Sequence, residues 1–120
     1  MVSFEEAISN VRKKFPDCKV CEGSEFKGKY IFSLGPKEKL PNPSGFFVTV
    51  EKDDGIVQVF DDSEKFGDPN KWNELTFKYL MDDDESARAQ LDELIAPWDT
   101  AWKNATEIDG PIEVSDEWFE

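Results

Sequence analysis

The chain has 120 residues, 14 basic and 27 acidic side chains, a net charge of −13 and no histidine. The length suits one domain, residues 1–120, with a single core. The charge argues against nucleic acid as a partner, because phosphate neutralisation needs a basic surface, and against an anionic membrane for the same reason.

In chain order, Ser3 and Glu6 form a capping box, and Ala7, Ile8, Val11 and Phe15 follow on one helical face. Pro16-Asp17 stops that helix. From Cys18 to Leu34 the period falls toward two: Phe26, Tyr30, Phe32 and Leu34 share a parity with Ile31 as the exception, and Glu22-Gly23-Ser24 reads as the turn between two strands. Residues 35–45 read as an exposed loop rich in glycine and proline. Phe46–Lys52 and Ile56–Phe60 are the next strands, joined at Asp53-Asp54-Gly55, a tight-hairpin signal because glycine tolerates positive φ.

The second half is mainly helical. Asp68-Pro69 reads as an N-cap with proline at the first helical position. Residues 71–81 fit two patterns, since Trp72, Leu75 and Tyr79 are helically spaced while Leu75, Phe77, Tyr79 and Met81 alternate like a strand. Ala87, Leu91, Leu94, Ile95, Trp98 and Trp102 form a helical stripe, with an interruption or kink expected at Pro97. The ending from Asp109 reads as a loop with a short strand or turn. The fold class is therefore α+β: an N-terminal helix packed on an antiparallel β-meander, followed by an acidic, mainly helical half.

Charge is distributed unevenly along the chain. Residues 1–60 hold nine acids and nine bases, while residues 61–120 hold eighteen acids, five bases and all four tryptophans, Trp72, Trp98, Trp102 and Trp118. Acidic disordered segments are poor in large aromatics, so this half is expected to fold while remaining strongly negative. A negative folded face suits a basic protein partner.

The motifs that carry chemistry elsewhere fit poorly. Cys18 and Cys21 have redox-pair spacing, but they follow a helix and open a strand, and zinc needs four ligands where no histidine or second cysteine pair exists. Two reduced cysteines are expected. Asp82, Asp84, Ser86, Arg88, Gln90 and Glu93 occupy calcium-loop offsets, yet Ala87 stands where glycine is required and helical periodicity runs through the segment. Acids at a helix start favour the macrodipole instead. No carboxylate pair stands out by context and no glycine-rich phosphate loop is present, so neither catalysis nor a cofactor is expected. No apolar run reaches ~18 residues, and the N-terminus lacks a basic start followed by an apolar stretch. A cytoplasmic location is the expectation, which leaves the Asn104-Ala105-Thr106 sequon as chance.

The helix Phe4 to Phe15-Pro16, the strand Phe26–Leu34 and the hairpin Val48–Val57 resemble a group of small helix-plus-meander domains from prophage- and phage-related bacterial genes. Peptidase-inhibitory modules and toxin-immunity proteins have a similar build. The resemblance implies an interaction role and brings no catalytic residue. Residues 61–120 have no counterpart in it.

The binding residues expected from charge and aromaticity are Asp82, Asp83, Asp84, Glu85, Asp92, Glu93 and Asp99, with Trp98 or Trp102 as an apolar anchor. The tryptophan pair at i, i+4 reads equally as core or interface. Glu85, Asp92 and Asp99 fall along one helical stripe, because seven residues drift by only about 20°. The expected function is a non-catalytic acidic module that masks or inhibits a basic partner, such as a toxin or a nucleic-acid enzyme. The alternative is a phage or prophage accessory or assembly subunit, in which the aromatics pack against identical copies.

Overall fold

A computed structural model describes residues 1–37, 45–61 and 65–111. The elements in order are α1 (Phe4–Lys14), β1 (Cys18–Phe26), β2 (Lys29–Pro36), β3 (Phe46–Val50), β4 (Val57–Val59), α2 (Pro69–Asp82), α3 (Glu85–Lys103) and β5 (Thr106–Glu107). The α+β class follows directly. The chain divides into two compact units, Met1–Phe60 with Asn104–Glu120, and Asp61–Lys103.

The first unit is a five-stranded antiparallel sheet in the order β4-β3-β2-β1-β5, with α1 on one face. Ser3 caps α1, its Oγ accepting from Glu6 N at 3.1 Å. Ala7 and Val11 are fully buried among Val20, Tyr30, Phe32, Leu34, Val48, Val50 and Val57. Each fully buried large aliphatic or aromatic side chain contributes about 1.5–3 kcal/mol, so this cluster dominates the unit. Polar ties fix the helix along the sheet: Asn10 Nδ2 donates to Gly55 O at 3.2 Å, and Lys14 Nζ donates to Val57 O at 2.7 Å.

The first hairpin turn lies four to five residues later than the sequence suggests. Glu22-Gly23-Ser24 is inside β1, and the chain reverses at Lys27-Gly28, where both residues have positive φ, 49° and 79°. These are the signs a two-residue primed turn requires. Gly23 serves packing instead. It pairs with Phe32, and a Cβ there would stand 2.5 Å from the Phe32 ring.

The later turn also changes the parity of the side chains. Phe26 pairs with Lys29 and Glu25 with Tyr30, so Phe26 projects to the face opposite Tyr30, Phe32 and Leu34. There it meets Phe60, edge to face, at 5.9 Å. Ile31 pairs with Thr49 on that same face and is fully buried. β2 continues through Gly35 and Pro36, and residues 38–44 of the expected loop lie outside the described residues. The Asp53-Asp54-Gly55 turn joins β3 and β4 as expected, with Gly55 at φ 76°.

Strand β5 completes the sheet edge. Glu107 pairs with Glu22 and Thr106 with Gly23, and Ile108 N and Gly110 N both donate to Cys21 O. Asp109 holds this return: Oδ2 accepts from Val20 N at 3.0 Å and Oδ1 from Arg12 at 2.9 Å. Trp118 lies outside the described residues.

The second unit is a helical hairpin. Asp68 caps α2, accepting from Asn70 N at 2.9 Å, with Pro69 at the first position. This start settles residues 71–81 as helix, and Leu75 packs with Ala87 and Leu91, flanked by Trp72, Tyr79 and Leu94. α3 runs through Pro97 as one helix, contrary to an interruption there. Among the described residues no helix is long and apolar enough to cross a membrane.

Candidate functional site

The acidic run Asp82-Asp83-Asp84-Glu85 forms the corner of the hairpin. Asp82 closes α2. Asp83 takes the left-handed conformation, φ 53° and ψ 38°, and its N–H donates to Lys78 O. Aspartate tolerates that region better than most residues. Asp84 then begins α3: its Oδ1 accepts from Ser86 N at 3.0 Å and from Ala87 N at 3.3 Å. One of the four acids is therefore committed to capping, while Asp82, Asp83 and Glu85 are exposed. Ser86, Arg88, Gln90 and Glu93 all lie on α3 and do not wrap around a common centre. No group of three or more acidic, cysteine or histidine residues among the described residues could hold a metal ion.

Along α3, Asp92, Glu93 and Asp99 are exposed. Glu85, Asp92 and Asp99 follow one outward stripe, while Ala87 and Leu91 point into the hairpin. Trp98 and Trp102 meet edge to face at 5.5 Å, and Lys65 Nζ lies 4.9 Å from the Trp98 ring centre. Both indoles are partly buried. The structure thus places the expected acids on the corner and the exposed side of α3, with Glu93 off the stripe by about 100°, and leaves the two tryptophans more sheltered.

The cations near the corner are already engaged. Lys78 pairs with Glu74 at 3.3 Å, and the Arg88 guanidinium lies 5.7 Å from the Tyr79 ring centre. Among the described residues, Asp82, Asp83 and Glu85 have no ion-pair partner. α2 also has no basic residue in its last turn, where a cation would offset the negative end of the helix dipole.

Sequence periodicity overlooked one surface. With Trp72, Leu75 and Tyr79 turned inward, Phe77, Leu80 and Met81 occupy the outer side of α2 and are all exposed. The six apolar residues Trp72, Leu75, Phe77, Tyr79, Leu80 and Met81 cannot all face one partner on a 3.6-residue period.

In the first unit, Cys18 and Cys21 are free thiols on β1. A register shift between Val20 and Glu22 makes Cys21 the extra residue of a bulge. Burial pushes the Cys21 thiol up, the Lys19 charge partly offsets this, and Glu22 and Asp109 add to it. These surroundings disfavour the thiolate that redox or nucleophilic chemistry needs. A cleft of about 540 Å³ nearby is lined by Arg12, Lys19 and Lys37 with Asp109. Its cations are tied down, Arg12 to Asp109, Lys19 to Pro111 O at 2.8 Å and Lys37 to Pro16 O at 2.6 Å.

Comparison with known proteins returns no match to a family model, a curated protein or a solved structure.

Proposed function

We propose that this protein is a non-catalytic acidic binding module that masks or inhibits a basic protein, such as a toxin or nucleic-acid enzyme, in the manner of an immunity or anti-defence protein. The observation that carries the reading is the outward acidic set Asp82, Asp83, Glu85, Asp92, Glu93 and Asp99, all exposed on one helical hairpin. Such a set attracts the positive groove of a nucleic-acid enzyme and competes with its substrate. Electrostatic steering raises association from ~10⁵–10⁶ to ~10⁸ M⁻¹s⁻¹ or more. Asp84 acts indirectly by fixing the start of α3, and the exposed parts of Trp98 and Trp102 add apolar contact.

The test is affinity capture from the lysate of the source cells at ~0.1 M and ~0.5 M salt, where screening shortens the reach of exposed charges. Basic proteins should be retained at the lower salt and released at the higher. Retention of only acidic proteins, or of none, overturns the reading.

A further inference from the structure

We propose that the outer face of α2, formed by Phe77, Leu80 and Met81, is the docking site for a cationic amphipathic helix of the partner protein. This rests on the acidic-module reading and names where, and to what kind of segment, the module binds. The three side chains are 63%, 71% and 68% exposed. At spacings of three and four residues they adjoin one another on a helix. A patch of this kind, on the order of 300–600 Å², is the size at which a monomer's largest apolar patch is often functional. Phenylalanine and methionine suit such a site, since one is a rigid anchor and the other a flexible, polarisable filler.

Charge selects the occupant. The patch ends at Asp82 and Asp83, with Glu85 just beyond, and none of these has an ion-pair partner among the described residues. The carboxylates of Asp82 and Asp83 also sit at the negative end of the α2 dipole, which is unfavourable for the isolated hairpin. A ligand bearing cations beside an apolar stripe covers the exposed rings and relieves that repulsion together. A second copy would cover the rings but bring another net-negative hairpin, whose nearby cation Lys78 is already paired with Glu74, so the acids would stay uncompensated. Anionic lipid is repelled for the same reason.

The probe is a dye-labelled helical Leu/Lys peptide of about 18 residues, read by anisotropy against the full chain at ~0.15 M salt. A Leu/Glu peptide of equal length is the charge control. The variant Phe77→Gln/Leu80→Gln/Met81→Gln keeps helix-forming residues at exposed positions, and Ile56→Gln/Val59→Gln removes exposed apolar surface on the first unit. The α2 variant is expected to bind the Leu/Lys peptide about tenfold or more weakly, as loss of an apolar anchor cluster does, while the Ile56/Val59 variant binds as the parent does. If circular dichroism shows the α2 helix lost, Phe77→Gln and Met81→Gln singly, each expected to weaken binding, take its place. Undiminished, salt-sensitive binding by the folded α2 variant overturns the docking site and leaves the acidic-module reading standing. Equal binding of the Leu/Glu peptide overturns both. A homodimer seen by sedimentation and lost in the α2 variant assigns the face to a second copy and overturns the proposal.

Discussion

Gly23 and Gly28 are five residues apart and are required for unrelated reasons. Gly28 stands at φ 79° with nothing within 4 Å of the site of a Cβ, so its role is conformational. Gly23 has no such φ, but its Cβ would lie 2.5 Å from Phe32 Cδ1 and 3.0 Å from Phe4 Cζ. Phe32 is fully buried, which leaves its ring little freedom to yield. Gly23→Ala is expected to lose about 1–3 kcal/mol by overpacking, and Gly28→Ala about 1–2 kcal/mol through left-handed strain. Urea unfolding of a double-mutant cycle separates the two causes. Phe32→Leu should recover part of the loss in Gly23→Ala and none in Gly28→Ala, and equal behaviour of the two pairs would contradict the assignment. Sequence alone places the turn at the wrong glycine for this reason. Two short glycine-containing segments look alike locally, and the side chain that distinguishes them is nine residues away on the neighbouring strand.

Elements whose signals are local were legible, namely α1 from its cap and apolar stripe, the Asp54-Gly55 turn, and α3 from its spacing. Residues 71–81 could not be decided by alternation, because the cap that starts α2 lies upstream at Asp68 and the residues that cover Leu75 lie downstream at Ala87 and Leu91. β5 was illegible for the opposite reason: two residues have no period, and they join the sheet only through pairing with β1 and the carboxylate of Asp109. Pro97 shows local propensity losing to tertiary context. It lacks the N–H that would bond to the Glu93 carbonyl, yet α3 continues past it to Lys103, with Ala101 buried in that last stretch. Since Pro97 is itself exposed, Pro97→Ala is expected to stabilise the hairpin by up to about 3 kcal/mol. Thermal unfolding followed at a helical wavelength checks this. A lowered midpoint would mean that the proline shapes a bend the packing needs.

At the scale of the molecule, the sequence halves and the structural units divide the charge differently. Residues 61–103 hold twelve acids and five bases, net −7, and residues 104–120 hold six acids and no base. Of the latter, the described residues 104–111 group with the sheet, so the neutral first half gains Glu107 and Asp109 through its returning chain. The asymmetry between halves therefore overstates the asymmetry between units. What distinguishes the hairpin is the arrangement of its acids on the corner and along one stripe. At a Debye length of ~8 Å in physiological salt, such exposed charges act mainly on what approaches them closely. Reversing Glu85, Asp92 and Asp99 to lysine changes three charges by two each, taking residues 61–103 from −7 to −1 and the chain from −13 to −7. All three are exposed, and Asp84, which caps α3, is untouched, so the circular dichroism spectrum should be retained. Association with a basic partner should slow by about one to three decades, the range over which steering acts, with a much smaller change in dissociation rate. The dependence of the on-rate on salt should flatten at the same time. Stopped-flow mixing with the captured partner at several ionic strengths measures both. An on-rate and salt slope equal to those of the parent would remove the α3 stripe from the interface, and a faster dissociation with unchanged association would make these acids contacts rather than a steering field.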